Sequence, residues 1–500
     1  MNQAMKGWLH GGRVYAVIAA VVTVSFLIVE PVVRVSAALG GRVALDQVAV
    51  RVLMAAALLI IAGLLLRGDT TPTDTRILHA LVGSGIVMRI GYMLYTSYSV
   101  RAHDVDTLND SGHLRYIYTI LTQLRLPDSN AGQFYHPPLS HILEALAVRV
   151  YSVLSPGSGL NEWFEGAKLV PAFASCATLI VCLRLFEELG VDRRTKLAAM
   201  TLLAFHPTFF ILASSINNDM LMIFFFMAAL LYTVRWYHRP TMRHILTLAV
   251  LIGCAMSAKF SGALVAVITA AAFLVMLLRR RGKRPSLPRL FGQFAAFGAV
   301  CLPLGLWYPV RNWILFRQPL GYVLPLSVNS YLYVGYRSLW QRFGLFSPTQ
   351  LFTVPYCQVR SDYQLWIYTI KCSVFGEYWY SWYLRALATL LVAVNALLIL
   401  WSLAAMVVGT VRRRSPGAWM FTGLWGVMMA SFVYFNIKYP FACTMDYRYI
   451  VPTCVVGAAF LGDSFSALRG SRHPAARLAA RAEECLILVF CTLSVAFYVL

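Results

Sequence analysis

The chain reads as an all-α polytopic membrane protein of about thirteen transmembrane helices, with two long loops on the outer face. Hydrophobic residues make up 59% of its 500 positions and the mean hydropathy is +0.66, well beyond the range of soluble domains. Apolar runs of roughly 20 residues, enough to cross a bilayer core, recur along its length. The basic residues gather in alternate short connections. A net charge of +22 would suit a nucleic-acid partner, but more than half of the 43 Lys and Arg residues fall in those connections, where they act as topology signals.

The apolar runs lie near 14–36, 47–66, 78–98, 167–186, 196–214, 219–237, 243–259, 261–278, 290–310, 385–408, 417–437, 449–467 and 483–500. Lys259 separates two short ones, and Glu30 and Arg34 interrupt the first. With the amino terminus inside, the basic clusters fall in the inner loops: Arg193, Arg194 and Lys196; Arg279 to Arg281, Lys283 and Arg284; and Arg412 to Arg414. The chain then divides into three amino-terminal spans (1–98), a first outer loop (99–166), a transmembrane bundle (167–310), a second outer loop (311–384) and carboxy-terminal spans (385–500). The first run is too long for a signal-peptide core and lacks a small-residue cleavage site after it, so it is expected to remain as a span.

The first outer loop is the long polar interruption of the amino-terminal half. RAHDVDTLNDSGHLRYIYTILTQLRLPDSNAGQFYHPPLSH carries four aspartates and four histidines where the neighbouring segments offer leucine and valine. Asp104 follows the third span by a few residues, near enough to the membrane for low polarity to raise its basicity. Leu114, Ile117, Tyr118, Leu121 and Leu124 recur at helical spacing, with Asp110 or Ser111 placed to cap that helix. A second stripe, Leu139, Ile142, Leu143, Leu146 and Val150, starts after Pro137-Pro138, residues suited to a helix's first turn. Both are predicted to be amphipathic helices on the outer leaflet, with His113 and His141 either serving the site or lying on the helix surfaces.

Four later polar groups are expected at the same face. They are Asn217-Asn218-Asp219, Lys259 before Phe260-Ser261-Gly262, Arg311-Asn312, and Lys438 through Asp446-Tyr447-Arg448. The second loop closes on FGEYWYSWYL, an aromatic belt in which Glu377 is placed to meet a sugar hydroxyl. The ten cysteines show no metal-ligand spacing, and most sit in apolar runs as small hydrophobes. Cys357 and Cys372, both in the second loop, could pair as a disulfide in an oxidising compartment.

Cations beside an acidic loop suit a lipid phosphate. Where a sugar is linked to that phosphate, cations stabilise the departing charge and one aspartate can deprotonate the acceptor. Glycoside hydrolysis, in contrast, needs two carboxylates across the bond. A transporter or flippase of an anionic lipid is the alternative, and it would place ionisable groups near the midplane between repeated halves. A noncatalytic envelope scaffold, or a polymerase or ligase using the same donors, also fits the composition.

The order DVD, GHLRYI, FYHPPLSH, NNDML, AKFSG and DYRYIVP, over roughly 85–470, resembles the C-type membrane glycosyltransferases of the protein O-mannosyltransferase and aminoarabinose transferase group. That resemblance implies an inverting transfer from a polyprenyl-phosphate-linked sugar to a lipid, glycan or protein acceptor, with no metal, no cofactor and no nucleic-acid partner. The family's catalytic aspartate falls on Asp104, with Asp106 as runner-up. Donor phosphate and sugar contacts are expected from His113, His136, Asp219, Lys259, Arg311, Arg448 and Glu377. Where the aminoarabinose-type enzymes carry an acidic residue and a lysine before Pro-Pro-Leu, this chain has Tyr135 and His136, which puts more weight on the remaining cations. The expected setting is the inner (plasma) membrane, with the site on the periplasmic or extracytoplasmic side.

Overall fold

The computed structural model describes residues 12–38, 45–67, 73–100, 104–105, 107–156, 159–279, 286–344, 349–413 and 416–500. Asp106 and His103 of the first loop, and the basic residues Lys6, Arg280, Arg281, Lys283, Arg284 and Arg414, lie outside the described residues. The chain is 79% helical without strands among the described residues. The helices run α1 (Arg13–Ala38), α2 (Leu45–Leu66), α3 (Asp74–Tyr95), α4 (His113–Gln123), α5 (Leu139–Leu154), α6 (Leu169–Glu188), α7 (Arg193–Phe205) and α8 (Pro207–Ser214). They continue as α9 (Asp219–His238), α10 (Met242–Ala258), α11 (Val265–Leu278), α12 (Leu287–Phe316), α13 (Leu365–Phe375), α14 (Arg385–Arg413), α15 (Pro416–Lys438), α16 (Pro452–Arg469) and α17 (Pro474–Val499), joined by short 3-10 turns.

Ten helices among the described residues are long and apolar enough to cross a membrane, or twelve when the bent pairs α7–α8 and Ala442–Ile450 with α16 each count as one span. The protein is a multi-pass membrane protein. The seventh of the thirteen expected runs forms α10, an apolar helix of 17 residues that stands outside this count.

Two compact units share the chain. The first holds Met1–Val33, Thr96–Leu189 and Leu212–Pro325; the second holds Arg34–Tyr95, Gly190–Ile211 and Leu326–Leu500. In the first, α9 packs on α6 and α10, and α10 packs on α12. Beside them, α4 and α5 join through a small core of Val105, Leu114, Ile117, Ala145, Val148, Phe164 and Ala167. The two ends of the first loop are tied together by Lys168. Its ammonium meets Glu165 Oε2 at 2.5 Å and donates to the Thr96 carbonyl at 2.7 Å, while Ser97 donates to the same carboxylate.

In the second unit, α3 packs on α2 and α7, and α16 packs on α7, α14 and α17. The bend between α7 and α8 is 43°, because Pro207 has no N–H to offer the Leu203 carbonyl four residues earlier. Arg89, 1% exposed, supplies what is missing: its guanidinium donates to Leu203 and Ala204 at 2.9 Å each. Ser494 takes the Phe205 carbonyl at 2.6 Å. Arg89→Leu strands two carbonyls at a helix end of negative dipole, at about 1–3 kcal/mol for each unsatisfied group. A clear drop in the melting temperature of the purified protein is expected, and Arg89→Lys should restore only part of it, since one ammonium cannot match the guanidinium fork.

Candidate functional site

The first loop builds its site from backbone turns. Asp104 is exposed and left-handed, with φ of 53°, a conformation that aspartate tolerates better than most residues. Its carbonyl accepts from the His113 amide at 3.1 Å, and the Val105 carbonyl accepts from Leu114 at 3.2 Å, so the start of α4 fixes the turn. Gly132, at φ of 50°, lies so close to Ser111 that a Cβ there would sit 2.3 Å from its carbonyl oxygen. Only glycine permits this approach, and Gln133 N then donates to the same carbonyl at 2.7 Å.

The expected cap at α4 is absent. Gly112 occupies the N-cap position, and Asp110 instead accepts from the Thr107 hydroxyl at 2.7 Å, closing the preceding turn. Of the two readings of His113 and His141, the surface one does not hold, since they are 2% and 0% exposed. Their rings meet, with His113 Nδ1 and His141 Nε2 2.8 Å apart. His141 stacks on Tyr116 with centroids 4.1 Å apart. Helix α5 turns His141, Glu144, Val148 and Tyr151 inward and leaves Leu146, Val150, Val153 and Leu154 exposed. The inner face is therefore the chemically richer one. An outward apolar stripe is what an interfacial helix presents to lipid.

His136 sits half-buried among these groups, its ring stacked 6.1 Å from that of His113. Burial holds its pKa well below the ordinary imidazole range; the Lys259 ammonium and the His113 and His141 rings push the same way, and the Asp104 carboxylate opposes them. The ring is neutral at pH 7. Burial lowers His141 likewise.

Lys259 ends α10, where the backbone turns extended, and the following 3-10 turn passes so close to α10 that Gly262 has the Ala255 carbonyl carbon 2.6 Å from where a Cβ would stand. Its ammonium binds Asp219 Oδ1 at 2.6 Å, both residues being buried. Asp219 opens α9, and its amide donates to Asn217 Oδ1 at 3.0 Å. Lys259 and Asp219 are thus each other's counterion in addition to any ligand they meet. Arg311 spends donors on the Pro127 carbonyl and on Asn312 Oδ1, both at 2.9 Å.

Arg448 and Glu377 belong to the second unit. Arg448 lies 3.3 Å from Asp446 and contacts the Tyr449 hydroxyl at 3.4 Å. Glu377 accepts from Tyr368 at 2.8 Å. Lys438 is exposed near the rings of Tyr434 and Tyr439. Cys357 and Cys372, which could have paired, are free thiols, and Cys372 donates to Asp446 at 2.8 Å. No group of three or more His, Cys, Asp or Glu residues suited to a metal occurs among the described residues.

Four residues that the sequence reading gave no individual role also enter this neighbourhood: Tyr116, Glu144, Tyr308 and Asn312. Glu144 is fully buried, accepts from Ser140 at 3.1 Å, and has its pKa pushed up to about 8 by burial. In the unfolded chain a glutamate ionises near 4.5, so between these values the folded protein binds the extra proton and stability falls as pH rises. Glu144→Gln is therefore expected to raise the melting temperature, with a gain that grows from pH 5 to pH 8. Melting curves at the two pH values check it.

Residues 135–316 match the family described as dolichyl-phosphate-mannose-protein mannosyltransferase. Over this stretch the chain is similar to the protein mannosyltransferases. The mannosyltransferase-like segment opens on Tyr135 and His136 and takes in Asp219, Lys259 and Arg311; Asp104 precedes it. The resemblance read from the motifs is borne out by this match. No curated protein matches the chain. Among solved structures, the Archaeoglobus fulgidus oligosaccharyltransferase complexed with zinc and sulfate is 17% identical, with a TM-score of 0.47 over 83% of this chain and 53% of that one. The Saccharomyces cerevisiae protein O-mannosyltransferase complex bound to its sugar donor is 16% identical, with a TM-score of 0.36 over 55% and 37%. ArnT from Cupriavidus metallidurans, in the apo state, is 13% identical, with a TM-score of 0.47 over 84% and 75%. The chain spans about half the length of the first of these structures.

Proposed function

We propose that the protein is an integral membrane glycosyltransferase that moves a sugar from a polyprenyl-phosphate carrier to a lipid, glycan or protein acceptor on the extracytoplasmic face of the inner membrane. The observation that carries this reading is the meeting, in one unit, of an exposed aspartate on a left-handed turn with a neutral imidazole and a buried ammonium. Asp104 takes the proton from the acceptor hydroxyl as its oxygen attacks the anomeric carbon. The bond from that carbon to the phosphate oxygen breaks on the opposite side, which inverts the centre and releases the polyprenyl phosphate with the electron pair. Lys259 offsets the charge that develops on the phosphate. His136, uncharged, donates or accepts a hydrogen bond there. The mannosyltransferase-like segment supports the choice of a lipid-phosphate donor.

The test is sugar release from radiolabelled polyprenyl-phosphate sugars by purified protein in lipid, with the donor sugar screened in the same assay. Transfer from at least one donor is expected. Movement of labelled lipid between leaflets with no transfer from any donor would replace this reading with that of a flippase.

A further inference from the structure

The last turns of α12 reach across to the first loop and grip it by its carbonyls. Tyr308 donates to the Phe134 carbonyl at 2.6 Å, Asn312 to the Tyr135 carbonyl at 3.4 Å, and Arg311 to the Pro127 carbonyl at 2.9 Å. From α4, Tyr116 donates to the Tyr308 hydroxyl at 2.8 Å and approaches the His136 carbonyl at 3.2 Å. Every carbonyl from Phe134 to His136 is therefore met by a side chain from outside the segment. The two tyrosines are 0% and 1% exposed. Their rings add to the same join, since Tyr116 packs edge-on against Phe134 with centroids 5.5 Å apart and Arg311 lies over the Tyr308 ring at 5.3 Å.

These bonds hold a stretch that has little to hold itself. Gly132–Tyr135 is a single 3-10 turn, with short-range amide bonds from Phe134 to Ala131 at 3.0 Å and from His136 to Gln133 at 3.1 Å, and Pro137 and Pro138 follow. A 3-10 turn of four residues has poor hydrogen-bond geometry, and prolines add no donors. The His136 ring nevertheless occupies one place, against Tyr135 at 4.0 Å and between His113 and the charges of Lys259 and Asp104.

We propose that Tyr308 and Tyr116 are positioning residues that fix the backbone of 134–136 and thereby hold the His136 imidazole in the donor-phosphate site. The inference rests on the reading of His136 as part of that site, but the arrangement it describes can be measured without any transfer assay. Tyr308→Phe removes one donor and one acceptor with almost no change of volume, and lets the segment move away from α12. The ring then gains water and loses its fixed distance from Lys259. A merely structural tyrosine would lower stability and leave the His136 environment as it is.

The experiment follows carbethoxylation of His136 by diethyl pyrocarbonate in the full chain in lipid nanodiscs, resolved by mass spectrometry, from pH 5 to pH 8. The groups around the ring that set its titration are Lys259, His113, His141 and Asp104, and all four remain in the variants. In Tyr308→Phe the labelling rate of His136 at pH 7 is expected to rise about tenfold and its midpoint to move up toward that of a free imidazole. The exposed His238 and the half-buried His244 should label as in the wild type. Tyr116→Phe is the second variant, should Tyr308→Phe fail to fold, and the same change is expected. An unchanged His136 rate and midpoint in a folded variant overturns the proposal. A wild type that transfers no sugar, together with the shift in Tyr308→Phe, would sink the enzymatic reading and leave the positioning role standing.

Discussion

Asp104→Asn is expected to lower sugar transfer by about 10²–10⁴-fold, the span that a positioned general base contributes, while polyprenyl-phosphate sugar still binds. Asparagine suits this test because it tolerates the left-handed region nearly as well as aspartate does, so the turn at φ of 53° should persist. It matches the carboxylate in size, and it cannot take the acceptor's proton. Alanine would mix that loss with backbone strain of order 1–3 kcal/mol. Single-turnover transfer, with donor binding measured in parallel, separates the two effects. If Asp104→Asn transfers at the wild-type rate, the base lies elsewhere, and Asp106→Asn is the next variant.

The second large effect is expected at Lys259. Removing one partner of a buried ion pair leaves an uncompensated charge and typically costs about 3–5 kcal/mol. Lys259→Met leaves the Asp219 carboxylate, 1% exposed, without the ammonium that now sits 2.6 Å away. A large fall in melting temperature should follow, and Asp219→Asn in the same chain should restore most of it by removing the stranded charge. Transfer should not return in the double variant, because the cation for the leaving phosphate is still missing. Recovery of both stability and transfer would show that the pair is structural alone.

The membrane class was legible from composition, and the helices from their apolar runs, because a bilayer demands about 20 residues of one character and leaves little room for another arrangement. Helix α10 was read as a span from its composition, and it is an apolar helix of 17 residues that stands outside the ten to twelve spans. Within the first loop, the apolar stripes of α4 and α5 located both helices, and α5 leaves Leu146 and Val150 of its stripe exposed while His141 and Glu144 turn inward. On a helix at a lipid boundary the apolar stripe can face outward, so periodicity locates the helix without saying which side is buried. His141 was left open and Glu144 missed for that reason.

Composition and order along the chain determined that this is a multi-spanning helical protein with an acidic, histidine-rich loop after its third span, because those properties depend on runs of adjacent residues. Only the tertiary structure decided that Lys259 pairs with Asp219, that His113 meets His141, and that Tyr308 holds the Phe134 carbonyl. These pairs are 40, 28 and 174 residues apart in sequence. Nothing local distinguishes such a tyrosine near the end of an apolar helix from one in an aromatic belt. Its hydroxyl acquires a role when folding brings a carbonyl without a partner to within 2.6 Å.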